Sequence, residues 1–268
     1  MSTNRELSKG TALVTGASSG IGAVYADRLA KRGYDVIIVA RSEDRLKEVA
    51  KRIGGATGRS IKTVTADLGN KKDLANLEAL LREDASITML VNNAGFGGVT
   101  PLLNSDVDKM EEMIDVNVTA LMRLTYAAAP KFAERGKGAI VNIASIVAIG
   151  PEILNGVYGG TKAFVLAFTQ SLQHELASKG VRFQAILPGA TATDFWDVAG
   201  YPHTNFPANV VMSTEDMVDA SLVGFDQGEV VTIPPLQDGD EWTSYEAARR
   251  AMSQKFLHSK PGARYILA

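Results

Sequence analysis

The chain has 268 residues, 46% hydrophobic and 22% charged, enough apolar material to bury the core of one large α/β domain or two small ones. Its formal net charge of −2 leaves no electrostatic footprint for nucleic acid or for an anionic membrane surface. The absence of cysteine excludes disulfides, a thiolate nucleophile and cysteine-ligated zinc, and the three histidines, His174, His203 and His258, are too scattered for a metal cluster, so a cytoplasmic, metal-free protein is expected.

Residues 1–10 read as a frayed tail: Met1 to Lys9 is polar and lacks the apolar core of a signal peptide, and no later apolar run approaches the roughly 20 residues that span a bilayer. Thr11 to Thr15 is a short apolar run of the kind that fills a buried parallel strand, and it leads straight into Gly16-Ala17-Ser18-Ser19-Gly20-Ile21-Gly22. A helix follows, with Ile21, Val24, Tyr25 and Leu29 at core-facing spacing and Gly33 closing it. Strand, glycine turn and helix make a phosphate-binding unit, because glycine lets backbone N–H groups approach a pyrophosphate and the helix N-terminus adds unpaired donors. Asp35 to Ala40 predicts a second strand, and Ser42 the cap of a helix whose Leu46, Val49 and Ile53 face inward.

The alternation continues: a strand over 61–66 ending in Asp67-Leu68, a helix around Leu74, Leu77 and Leu81, and a strand over 87–91 ending in Asn92-Asn93-Ala94-Gly95. A long helix over 106–132, a strand over 139–144 ending at Ser145, a helix through Tyr158 to about Ser178, and a strand over 181–187 ending in Pro188-Gly189 come next. This β-α-β-α order demands a parallel sheet with helices on both faces, a three-layer, doubly wound Rossmann-type α/β fold in one domain over 1–268. The pattern loosens at 190–212, where Phe195, Trp196, Tyr201, His203 and Phe206 lie among Gly, Pro and Asn, which reads as a substrate loop. A short helix after Ser213, a last strand near 230–233 and a C-terminal extension over 234–268, helical from about Trp242 to Leu257, complete the chain.

In an open parallel sheet, ligands bind beyond the carboxyl ends of the strands. Gly16 to Gly22, Arg41, Asp67, Asn92 to Gly95, Ser145 and Pro188-Gly189 all follow predicted strands and therefore share that rim. Tyr158 and Lys162, four apart on one helix, bring a phenol and an ammonium to one face, and a nearby cation favours the phenolate and moves the group towards working range.

In these motifs the chain closely resembles the short-chain dehydrogenase/reductase family, in its single-domain branch, from about Thr11 to Ile233. Thr15 to Gly22 is similar to the family's T-G-x-x-x-G-x-G, and Asn92-Asn93-Ala94-Gly95 to its N-N-A-G. Ser145 and Tyr158-Gly159-Gly160-Thr161-Lys162 match the catalytic serine and Y-x-x-x-K, Asn117 falls where the family keeps a helix-borne catalytic asparagine, and Pro188 to Thr193 fits P-G-x-x-x-T. The resemblance implies hydride transfer between nicotinamide C4 and a carbonyl or secondary alcohol carbon. Tyr158 is then acid/base, Ser145 the hydrogen bonder of the substrate oxygen, Lys162 the ribose binder and pKa tuner, and Asn117 the anchor of a water linking Lys162 to solvent.

The implied cofactor residues are Gly16, Ser18, Ser19, Gly20, Ile21, Gly22, Arg41, Asp67, Leu68, Asn93, Ala94, Gly95, Tyr158, Lys162, Pro188, Gly189, Thr191 and Thr193. Where NAD enzymes place an acid for the ribose 2′-OH, this chain has Ala40 followed by Arg41, which favours NADP over NAD, although Ser19 stands where many NADP-using relatives carry a second base. A small-molecule carbonyl or alcohol substrate is implied, with Phe96, Ile146, Glu152, Leu154, Asn155, Phe195, Trp196 and Tyr201 as pocket residues. A homodimer or homotetramer built on the two long helices is implied too. The alternative from another class is a catalytically silent nucleotide-binding redox sensor or scaffold. Epimerases and dehydratases carry a distinct C-terminal domain for which 234–268 leaves little room, and enoyl reductases separate their Tyr and Lys more widely.

Overall fold

The computed structural model describes residues 9–266, so most of the expected tail at 1–10 and the last two residues lie outside it. The chain forms two compact units, one up to Pro234 and one from Pro235 onward. The first is built on seven parallel strands in the order β3-β2-β1-β4-β5-β6-β7: β1 Thr11–Thr15, β2 Asp35–Ala40, β3 Ile61–Thr65, β4 Ile87–Asn92, β5 Gly138–Ile143, β6 Val181–Ile186 and β7 Val231–Thr232. The order reverses between β1 and β4, so their carboxyl ends open the crevice that such sheets use for ligands.

The central strands are apolar on both sides because helices cover both, and alternate residues go to opposite faces. Ala12, Val14, Val36 and Ile38 share one core with Tyr25 and Leu29 of α1 (Gly20–Lys31), Leu46 and Ile53 of α2 (Glu43–Thr57), and Met217 and Leu222 of α8 (Thr214–Gln227). Leu13, Ile37, Val39 and Leu90 share the other with Leu74 and Leu77 of α3 (Lys71–Glu83), Leu124 and Phe132 of α5 (Leu121–Glu134), and Leu172 of α6 (Gly156–Leu176).

Four expectations shift in detail. The long helix over 106–132 is α4 (Val107–Ile114) and α5 joined by a π-helical turn, Asp115–Ala120, which widens the helix around Asn117. Ser42 stands at the N-cap of α2 but makes no side-chain capping bond. The short helix after Ser213 runs on to Gln227, because Met217, Val218 and Leu222 bury a full apolar stripe. The helix of the C-terminal unit, α9, is Gly239–Ser253 rather than 242–257: Asp238 accepts a hydrogen bond from the Asp240 N–H, and Asp240 and Glu241 charge its first turn favourably. Within α9, Trp242 and Tyr245 stack at 5.3 Å and Glu246 pairs with Arg249.

The 190–212 loop is closed at its base by a bridge between Thr191 and Met212. Between these points it folds around its aromatics, with α7 (Phe195–Val198) at its start. Trp196 packs edge-on against Phe195 at 5.4 Å and Phe206 at 4.7 Å, Phe206 meets Tyr201 at 5.0 Å, and the Trp196 indole N–H donates to Thr191 O. No described helix is long and apolar enough to cross a membrane.

Candidate active site

The crevice begins with the glycine turn after β1. Gly16 and Gly20 have φ of 65° and 51°, the left-handed region where only glycine is unstrained. Gly22 is required for a different reason: a methyl on it would lie 2.4 Å from Gly16 O and 2.5 Å from Asn93 Nδ2. Ser19, at the N-cap of α1, makes no side-chain capping bond, so its hydroxyl does not block the first-turn N–H groups. Closely approachable backbone and an open helix N-terminus fit a dinucleotide pyrophosphate.

The turn is buttressed from β4. Asn93 Nδ2 donates to Thr15 O (2.9 Å) and Gly16 O (3.1 Å), and Thr15 Oγ1 accepts from the N–H groups of Asn93 and Ala94, both at 3.0 Å. The Asn93 side chain therefore braces the glycine loop. Thr15, the first residue of the T-G-x-x-x-G-x-G match, thus braces the turn through its hydroxyl, a contact that its place in the motif does not show. Around the rim, Arg41 is exposed at the end of β2, and Asp67 Oδ1 accepts from Gly69 N–H at 3.0 Å, while the Leu68 side chain enters the core. Ser18, Ser19 and Ile21 are half-buried, and Thr193 meets Gly20, whose added methyl would stand 3.2 Å from Thr193 Cγ2. Pro188 O accepts from Ile146 N–H, and the buried Thr191 hydroxyl donates to Gly189 O.

At the end of β5, Ser145, Tyr158 and Lys162 converge. Lys162 reaches back from α6 to donate from Nζ to Ile143 O at 2.8 Å, and its ammonium lies 5.7 Å from the centre of the Tyr158 ring. Ser145 is buried, with Oγ 3.4 Å from Pro188 O. Burial pulls the Lys162 pKa down to about 8. The phenol departs from expectation. Burial pushes its pKa above the usual tyrosine range, and the opposing influence is the Ser145 hydroxyl rather than Lys162. The physical reason is the packing of the ring among Met113, Val147, Phe96, Leu154 and Phe195, while the ammonium is held on the strand end.

Asn117 is brought here by the π-helical turn, but its carboxamide is already engaged. Nδ2 donates to Phe96 O (2.9 Å) and Thr161 Oγ1 (3.2 Å), and Oδ1 accepts from Phe96 N–H (3.1 Å). It clamps the loop after β4 to α6, and Gly95 must be glycine because a methyl there would come within 2.8 Å of Asn117 Oδ1. Thr161, unmarked by the sequence reading, completes the clamp by donating to Tyr158 O at 2.8 Å.

Beside this cluster lies a cleft of about 490 Å³, lined by Val99, Pro101, Leu102, Ile153, Leu154, Asn155, Gly156, Tyr201 and Phe206. None of these is charged. Of the expected pocket residues, Leu154, Asn155 and Tyr201 line it, Phe96 and Phe195 pack on Tyr158 instead, Ile146 is half-buried, Trp196 is buried within its loop and Glu152 is exposed. Among the described residues no group of three metal-capable side chains occurs.

A family model for short chain dehydrogenases matches residues 10–200. A short-chain dehydrogenase from Sphingobium yanoikuyae, solved in complex with NADPH, superposes with a TM-score of 0.92 at 44% identity over 96% of this chain and 100% of that one. A bulky-bulky ketone specific alcohol dehydrogenase from Comamonas testosteroni superposes with a TM-score of 0.90 at 41% identity over 97% of this chain and 100% of that one. A serine 3-dehydrogenase of Rhizobium radiobacter is 38% identical over 187 residues, 69% of this chain and 74% of that protein.

Proposed function

The chain belongs to the short chain dehydrogenase family of oxidoreductases acting on CH–OH and C=O groups, and from that premise we propose that it is an NADP(H)-dependent reductase of uncharged ketones with apolar substituents. The observation that carries this reading is the meeting of a buried phenol, a serine hydroxyl and an ammonium beside an uncharged, largely apolar cleft. The NADPH-bound relative and the bulky-ketone relative support it from the same side.

Bound NADPH would supply the hydride to the carbonyl carbon. Tyr158, kept protonated by burial, gives its proton to the substrate oxygen as the alcohol forms, and Ser145 hydrogen-bonds that oxygen and orients it. Lys162 spends one of its three ammonium protons on Ile143 O, which leaves two for ribose hydroxyls. Gly16 to Gly22, Asp67, Leu68, Asn93 to Gly95 and Pro188 to Thr193 hold the dinucleotide, while Asn117 positions the loop against α6. Arg41, exposed at the end of β2, meets a 2′-phosphate.

A panel of carbonyl compounds followed by nicotinamide absorbance, with NADPH and NADH in parallel, tests the reading. Aryl and branched alkyl ketones are expected to be reduced with NADPH, and ketoses and 3-oxo acids poorly. No oxidation of NADPH by any ketone would move the protein to the sensor class. Arg41→Ala is expected to raise the KM for NADPH about 10- to 100-fold, the worth of a charge-assisted hydrogen bond, and to leave NADH nearly unaffected. Equal effects on both cofactors would remove Arg41 from this role.

We also infer a homodimer or homotetramer formed through α5 and α6. Tyr126 is 65% exposed on α5 and stacks on Phe168 of α6, which stacks on Phe164, an aromatic row on the outer faces of both helices. Tyr126→Glu together with Phe164→Glu is expected to yield a monomer in light scattering. An unchanged mass would place the interface elsewhere.

A further inference from the structure

We propose that Asn155 is a positioning residue whose single carboxamide ties the apolar wall of the substrate cleft to the helix turn that carries Tyr158, and thereby sets discrimination between bulky and small ketones. The inference rests on the ketone-reductase reading for its substrate class but not for its geometry. Asn155 is buried at the N-cap of α6. Its Oδ1 accepts from the N–H groups of Val157 (2.9 Å) and Tyr158 (3.4 Å). Its Nδ2 donates to Thr100 O (2.6 Å) and Ser105 Oγ (3.3 Å), across 55 and 50 residues of chain.

Those four bonds use both donors and both lone-pair sites of the amide, so Asn155 lines the cleft without offering it a free polar atom. What it offers instead is a fixed distance. The segment 93–101 has no regular secondary structure, so no ladder of backbone hydrogen bonds holds Val99 and Pro101 in place. The turn that follows is closed by Ser105 Oγ, 2.9 Å from Thr100 O and 3.0 Å from Pro101 O, and it carries Leu102 and Leu103 at its tip, 83% and 91% exposed. Ser105 is in turn bound to Asn155. One carboxamide thus sets where the wall of Val99, Pro101 and Leu102 stands relative to the phenol three residues further on. A substituent filling the cleft feels any slack in that wall, whereas a small ketone that does not reach it is insensitive.

Asn155→Asp separates the two halves of the role. The remaining oxygens still cap α6, where an acidic N-cap is favourable, but the donors to Thr100 and Ser105 are gone. In hydrogen exchange, amides at 98–105 are expected to exchange faster in Asn155→Asp while those at 157–162 keep their protection; in Asn155→Ala both segments are expected to loosen. In turnover, the ratio of kcat/KM for a diaryl ketone to that for acetone is expected to fall about tenfold in Asn155→Asp, chiefly through the KM of the bulky substrate. Unaltered exchange at 98–105 would overturn the pin whatever the enzyme reduces, and loosened exchange with an unaltered substrate ratio would overturn its part in discrimination. A wild-type protein that reduces neither ketone contradicts the reductase reading, and the pin is then judged by exchange alone.

Discussion

Tyr158→Phe is expected to lower ketone turnover by on the order of 10²- to 10⁴-fold, the usual contribution of a positioned proton donor, while the dissociation constant for NADPH stays within a few-fold of wild type. The separation of the two effects follows from the geometry. The ring lies in a buried cluster with Met113 and Val147 and meets Phe195 at 5.8 Å, apolar contacts that phenylalanine keeps. The helix is held by Asn155 and Thr161, and Lys162 by Ile143 O, none of which involves the phenol oxygen. What is lost is a proton that burial keeps on the oxygen until a stronger base, the forming alkoxide, takes it. Single-turnover kinetics with preformed NADPH complex, alongside a fluorescence titration of NADPH, checks this. A variant retaining more than about a tenth of wild-type turnover would show that the proton comes from elsewhere, since a positioned donor contributes at least 10²-fold.

Gly22→Ala is expected to abolish measurable NADPH binding and to destabilise the fold by about 1–3 kcal/mol, the usual cost of forcing a methyl into closed packing. The added carbon would lie 2.4 Å from Gly16 O, a backbone atom, and 2.5 Å from Asn93 Nδ2, which is hydrogen-bonded to Thr15 O and Gly16 O. Neither neighbour can yield without opening the turn that approaches the pyrophosphate. Gly55→Ala is the control: it lies inside α2 with nothing within 4 Å of an added methyl, and is expected to stabilise by about 0.5–1 kcal/mol through helix propensity. Calorimetric melting of the two variants should move in opposite directions, while NADPH titration is lost in Gly22→Ala and kept in Gly55→Ala; normal NADPH affinity in Gly22→Ala would show that the turn relaxes freely.

The residues proposed for the site could be picked out of the chain because they are local. Gly16 to Gly22 is one turn, Tyr158 and Lys162 are one helical turn apart, and the strand that delivers Ser145 is a plain apolar run. Asn93 and Asn117 were legible as positions but not as actors. A motif marks that an asparagine stands there, yet whether its amide faces a ligand or is spent on Thr15, Gly16, Phe96 and Thr161 depends on segments distant in sequence. The direction of the Tyr158 pKa was misjudged for a related reason: helical spacing places the cation near the phenol, but the apolar shell that raises the pKa comes from four other segments.

By itself, then, the order of residues determined the doubly wound sheet, the glycine turn after its first strand and the serine, tyrosine and lysine at the carboxyl rim, since hydrophobic period, glycine placement and short spacings are properties of contiguous chain. Only the tertiary structure decided which hydroxyls and amides brace the site rather than face it, how dry the phenol is, and that the neighbouring cleft is apolar and pinned through Asn155. The hydrogen bonds among them join groups 21 to 79 residues apart, and a bond of that reach leaves no period in the sequence from which it can be read.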